Sequence, residues 1–125
     1  MRTVRYAFLV VLLFFSAFSL WLYSSFRFGI ISGDSMYPTL RDGDFVVLRP
    51  VSFSEIGVGD VIGYLPYSGS PWVTVGFVAH RVVSVTPQYL FVQGDNRISN
   101  PTIDPQAVFP ADIVGKIVAR FRLPW

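Results

Sequence analysis

The 125-residue chain contains no cysteine. A disulfide framework and a thiolate metal site are therefore excluded, and the sequence is compatible with an oxidising or a reducing compartment. There is one histidine, His80, and one lysine, Lys116, so a His-rich zinc site lacks ligands. Charge is scarce as well. Charged residues make up 14% of the chain against 52% hydrophobic, a composition far from disorder and more apolar than an ordinary soluble domain. Ten basic and eight acidic residues leave a net charge of +2. The basic residues are scattered singly and form no stripe that could follow a phosphate backbone, which argues against nucleic acid as a partner. No internal repeat or low-complexity stretch is visible.

One stretch lacks charge, glycine and proline altogether. Residues 6–26, YAFLVVLLFFSAFSLWLYSSF, run 21 positions without any of them, and as a helix they rise about 30 Å, the thickness of a bilayer's hydrocarbon core. Arg2 and Arg5 precede the run, and Trp21 and Tyr23 lie near its far end, where amphipathic rings favour the interface. The expectation is a short cytoplasmic N-terminus (1–5), a single transmembrane helix (6–26) and an extracytoplasmic domain (27–125). Arg27, just beyond the run, works against this charge asymmetry. A cleaved secretory signal also begins with arginine and an apolar run. The run here exceeds the apolar region of about 7–15 residues of such signals, and no small-x-small cleavage site follows it. A domain this small could hardly surround a helix apolar on every face.

After residue 26 no helical period is visible. Short β-branched and aromatic runs alternate with Gly, Pro, Asp and Ser, which predicts strands over 45–48, 61–65, 73–85, 89–93 and 113–120 in a mostly β domain. Asp42-Gly43, Gly59-Asp60, Ser68-Gly69-Ser70-Pro71 and Thr86-Pro87-Gln88 supply turns. Two stretches are unusually apolar: Tyr64 to Tyr67, and Pro71 to Ala79 with Trp72 and Phe77. They read as core strand plus turn, or as a surface dipping into a bilayer.

Without cysteine, covalent catalysis needs Ser, Thr or Lys, and a hydroxyl needs a base to take its proton. His80 has an ordinary pKa of about 6.5, near working pH, whereas Lys116 would have to be depressed by several units. Among the hydroxyls, Ser35 has the most informative neighbours, Ser32-Gly33-Asp34-Ser35-Met36-Tyr37-Pro38-Thr39-Leu40. Composition alone would make this an ordinary polar turn.

The stretch from Gly33 to Leu40, followed by Asp42-Gly43-Asp44-Phe45-Val46-Val47, resembles the serine box of type I signal peptidases: Ser-Met-x-Pro-Thr-Leu, a short spacer, then Gly-Asp and a strand. Gly59-Asp60-Val61-Ile62 resembles that family's next Gly-Asp strand. His80-Arg81-Val82-Val83 stands where the family carries its general base, lysine in most bacterial members and histidine in the archaeal and endoplasmic-reticulum type. Gly94-Asp95-Asn96-Arg97, with Asp104 beyond, is similar to the Gly-Asp-Asn box, and Ile113 to Lys116 has a family-like ending. Any one block is a weak signal. The four together follow the family's order through residues 33 to about 104.

The resemblance implies a transmembrane helix followed by a small β-rich signal-peptidase domain, with no cofactor and no metal. Its activity would be removal of signal peptides from exported preproteins after small residues, with the bilayer and the preprotein as partners. The membrane would be the cell membrane, or that of the endoplasmic reticulum in a eukaryote; accessory subunits are left open. Ser35 would be the nucleophile and His80 the base, with Asp104 or Asp95 orienting the imidazole. Asp95 reads equally as a turn residue of Gly-Asp-Asn. The Ser35 N–H would be an oxyanion donor. Some members add a hydroxyl two residues before the nucleophile, but Gly33 stands there, leaving Ser32 or a backbone group. Met36 and Pro38 would shape the turn and line a pocket, Asp34 and Asp44 would be turn or strand-edge residues, and Lys116 a solvated strand-end charge. Only eight residues separate Phe26 from Ser35, so the nucleophile lies within about 30 Å of the span. Two alternatives remain at this level: a maturation protease of the same fold dedicated to one substrate, and a catalytically silent anchored β-domain that binds peptides.

Overall fold

The structure is a computed structural model that describes residues 1–66, 76–98 and 105–124. The expected turn at 68–71, the start of the 73–85 strand, Tyr67, Trp72 and Asp104 lie outside them.

Helix α1 spans Arg2–Ser25. A helix satisfies its own backbone polar groups, which is the form a long apolar run must take where no water is present. None of its residues is buried, and it is long and apolar enough to cross a membrane. Only Phe26, already extended at φ −133° and ψ 158°, separates it from the first strand.

Seven strands follow: β1 (Arg27–Ile30), β2 (Phe45–Arg49), β3 (Val61–Tyr64), β4 (Val78–Val85), β5 (Leu90–Gln93), β6 (Gln106–Val108) and β7 (Ile113–Phe121). They form one antiparallel sheet in the order β1-β2-β7-β3-β4-β5-β6. The expected mostly β architecture with an N-terminal apolar helix is therefore present. The two edge strands, β1 and β6, are additions to the sequence expectation, and β4 begins at Val78.

The sheet's centre is covered on both sides. Ile62, Tyr64, Val82, Leu90, Val92 and Val108 form one core cluster, and Ala79 joins Met36, Leu40, Val46 and Leu48 in a second. Successive residues of a strand face opposite ways, so the alternation of Val78, Ala79 and Val82 between clusters puts the two cores on opposite faces. Coverage on both faces explains why β3 reads as a continuous apolar run. Phe77 packs against the second cluster, and a Cβ at Gly29 or Gly63 would strike its ring. Phe77 and the hydrophobic Tyr64 are thus core residues, while Leu65 is exposed.

Both Gly-Asp pairs use one device at a strand entrance. Asp44 N–H donates to the Arg41 carbonyl at 3.0 Å, and its carboxylate accepts the Arg41 N–H at 2.9 Å. Asp60 repeats this with Gly57, at 3.2 and 2.9 Å. The preceding Gly43 and Gly59 have φ of +85° and +95°, which glycine adopts without steric cost. A cation from the end of the chain closes each turn. Lys116 Nζ lies 3.0 Å from Asp60, so this lysine is an ion-paired residue within β7 and not the solvated strand-end charge expected. Arg122 forks onto Asp44 at 3.0 and 2.9 Å.

Asp44 is 1% exposed, and the Arg122 hydrogen bonds, aided by the Arg41 amide, outweigh burial and hold its carboxyl below the usual range. Its folded pKa is below the unfolded value of about 3.9, so its contribution is present above that pH and is lost as pH falls through the folded pKa. Asp44→Ala is expected to cost about 2–4 kcal/mol in thermal unfolding at pH 7 and to make the unfolding midpoint less acid-sensitive.

Candidate active site

The 31–44 connection between β1 and β2 carries Ser35. Its neck is closed by two backbone bonds of 2.8 Å, Ile31 N–H to the Asp44 carbonyl and Gly43 N–H to the Ile31 carbonyl. Within it, Gly33 (φ +93°) donates its N–H to Asp42 Oδ1 at 2.7 Å. Met36 and Leu40 are 1% and 3% exposed and anchor the loop in the second core. Ser35 lies between the exposed Asp34 and the buried Met36, and is itself exposed. Neither its Oγ nor its N–H has a hydrogen-bond partner among the described residues.

The strand that carries His80 comes from elsewhere in the chain. His80 sits on β4 opposite Ile62, and Arg81 pairs with Gln93 of β5. The antiparallel register then sets Gly94 beside His80. A Cβ on Gly94 would stand 2.5 Å from the Ser35 carbonyl oxygen and 3.6 Å from His80 Cδ2. Ser35's backbone and the Cδ2 edge of the imidazole therefore flank one glycine. No hydrogen bond joins Ser35 Oγ to the ring.

The Gly-Asp-Asn block holds the serine loop against this strand. Asn96 N–H donates to the Ser35 carbonyl at 2.9 Å, and its side-chain amide donates to the Asp34 carbonyl at 3.0 Å. Asp95 accepts the Thr39 hydroxyl at 2.6 Å. Its oxygens also take a two-pronged bond from Arg81, at 2.8 and 2.7 Å, and Arg81 reaches the Gly59 carbonyl at 2.7 Å. Arg81 thereby ties the second Gly-Asp block to the third and fourth.

Asp95 is therefore engaged by Arg81 and Thr39 and makes no hydrogen bond to His80. It acts on the ring as a nearby charge. The Arg81 bonds, with help from Thr39, hold its carboxyl below the usual range despite burial. Burial lowers the pKa of His80, and the Asp95 charge opposes that pull without cancelling it. The group on His80 Nδ1 is the Tyr64 hydroxyl at 2.9 Å, whose proton is donated to Gln106 Oε1 at 2.9 Å. Burial pushes Tyr64 up to about 12. Asp104, the other expected orienter, is outside the described residues.

Beside Ser35 lies a cavity of about 490 Å³ walled by Ile31, Ser32, Met36, Phe77 and Ala79 among others. Met36 and Ser32 thus border it, whereas Pro38 is exposed away from that wall and Gly33 N–H is taken by Asp42. Sequence reasoning missed Tyr64, Gln106, Thr39 and Asn96 as parts of this site. Asn96 and Thr39 carried a signal, their places in the Gly-Asp-Asn block and in the Ser-Met-x-Pro-Thr-Leu box. No protein-family model matches the chain, and no curated protein matches it.

Proposed function

We propose that this chain is a membrane-anchored serine endopeptidase of the signal-peptidase type, which removes N-terminal signal peptides from exported preproteins after small residues. One observation carries the reading: four blocks separated by tens of residues converge, with Gly94 between the Ser35 carbonyl and His80 and with Arg81 bridging Asp95 and Gly59. The apolar cavity beside Ser35 would take the side chains before the scissile bond. In this reading α1 anchors the enzyme with its N-terminus cytoplasmic and the sheet on the opposite side.

Ser35 Oγ attacks the scissile carbonyl carbon as its proton passes to His80 Nε2, and the carbonyl electron pair moves onto oxygen. The Ser35 N–H donates to that oxyanion. Collapse expels the amine, which takes the proton from Nε2 and leaves an acyl-Ser35 ester. Water, deprotonated by the same nitrogen, hydrolyses the ester.

The test is cleavage of several unrelated preproteins by the full chain in proteoliposomes. Cleavage lost in His80→Ala is expected, and full activity in that variant would contradict the mechanism. Cleavage of a single preprotein would instead mark a dedicated maturation enzyme. Since burial lowers the His80 pKa and the base must be neutral, the acid limb of kcat/KM is expected below the ordinary histidine value of about 6.5. The same shift means that folding loses stability as pH falls from the unfolded pKa through the folded one.

A further inference from the structure

The imidazole's second nitrogen has a partner that the peptidase reading does not use. We propose that the Tyr64 hydroxyl, itself held by Gln106, orients His80 and fixes it as the Nδ1–H tautomer, leaving Nε2 as the base offered to Ser35.

A phenol has one proton to give and lone pairs to accept with. Tyr64 Oη lies 2.9 Å from both Gln106 Oε1 and His80 Nδ1. The amide oxygen can only accept, so the phenol proton goes to Gln106 and the phenol oxygen accepts from Nδ1–H. The geometry of the strands imposes this. Tyr64 is two residues along β3 from Ile62, the cross-strand partner of His80, so Tyr64 and His80 share a face. The tyrosine ring is 2% exposed in the first core, which leaves its hydroxyl one place to point. Gln106 approaches from β6, on the opposite side of β5 from β4.

The opposite, Cδ2 edge of the imidazole lies against Gly94 and the Ser35 carbonyl. One edge of the ring is therefore engaged by the neutral hydroxyl while the other faces the serine loop. When Nε2 becomes protonated, the Nδ1–H bond to Tyr64 strengthens, and Tyr64 keeps its own proton on Gln106 throughout. Its high pKa agrees with that. The charged groups around the ring are Asp95 beyond β5 and Arg81 on β4, paired with each other, and Lys116 on β7, paired with Asp60 beyond Ile62.

The tautomer is a property of the fold, whereas its use in proton transfer rests on the peptidase reading. His80 is the only histidine, so ¹⁵N-histidine labelling of the full chain in detergent reports on it alone. At pH 8 the expected spectrum has a protonated Nδ1 and a bare Nε2, the reverse of the tautomer histidine favours in water. Tyr64→Phe, which keeps the ring in the core, is expected to lose that preference and to lower kcat roughly 10- to 100-fold with KM unchanged. Gln106→Glu, an exposed edge-strand change, keeps the acceptor and adds a negative charge, so it should retain the tautomer and raise the pKa of His80. A wild-type spectrum with Nε2 protonated, or a tautomer unmoved in Tyr64→Phe, would overturn the proposal. The Nδ1–H tautomer in a chain that cleaves no preprotein would support the orientation and contradict the peptidase reading.

Discussion

Ser35→Ala is expected to lower kcat for preprotein cleavage by at least ~10⁴-fold while leaving the melting temperature unchanged. The asymmetry follows from the environment of the side chain. Ser35 is exposed, and its Oγ has no hydrogen-bond partner among the described residues, so removing the oxygen breaks nothing that holds the fold and should change stability by less than about 0.5 kcal/mol. The neighbouring hydroxyls provide the comparison. Thr39 is bonded to Asp95 at 2.6 Å, so Thr39→Val should lose stability as well as activity. Ser32 borders the same cavity as Ser35, but it lies outside the clamp made by Asn96, and Ser32→Ala should retain activity within about tenfold unless it supplies an oxyanion donor. A Ser32→Ala loss equal to that of Ser35→Ala would transfer the nucleophile's role.

The second large effect is expected from a residue with no side chain. Gly94→Ala adds a methyl whose carbon would sit 2.5 Å from the Ser35 carbonyl oxygen, and that oxygen cannot swing aside cheaply because Asn96 N–H holds it at 2.9 Å. The serine loop must move away from His80, or β5 must shift. Displacements of about 1 Å in a catalytic arrangement cost on the order of 100-fold in rate, and the overpacking should cost about 1–3 kcal/mol. Kinetics and thermal unfolding measured together separate these effects. Gly57→Ala is the control, because an added Cβ there meets nothing within 4 Å. Near-normal rates in Gly94→Ala would mean that Ser35 and His80 do not depend on this contact.

Much of this architecture was legible from residue patterns, and the omissions have physical causes. The charge-free run over 6–26 lies in helix α1 up to Ser25, because a helix satisfies its own backbone polar groups beneath apolar side chains, and the β-branched runs became β2, β3, β5 and β7 with boundaries shifted by about a residue. β1 was missed because Arg27–Ile30 looks like a short linker; its strand character comes from pairing with β2, a partner distant in sequence, with Arg27 opposite Leu48 and Ile30 opposite Phe45. β6 is three residues long and is specified by β5. Within the site, Ser35 and His80 were visible as reactive residue types in recognisable blocks. Tyr64 was visible only as an apolar core residue, which it also is, since its ring is buried and only its hydroxyl belongs to the site. The sequence points toward carboxylates as orienters because a carboxylate is the usual partner of a catalytic imidazole. Strand register, and not residue type, brought a phenol to Nδ1 of His80 and an amide to that phenol, while Asp104 lies outside the described residues. Asp95 illustrates the converse: its chemistry suited an orienter, but Arg81, its neighbour across β4 and β5, takes both oxygens.

In the proposed mechanism Ser35 is an activated nucleophile whose base is His80. The most direct test of this is the intact mass of the full chain in proteoliposomes after exposure to a serine-directed acylating probe at pH 7.5, with the adduct located by peptide mapping. A single adduct on Ser35, formed by the wild type and absent in His80→Ala, is the predicted result. An adduct on another hydroxyl, or one on Ser35 that forms equally fast without His80, would contradict it.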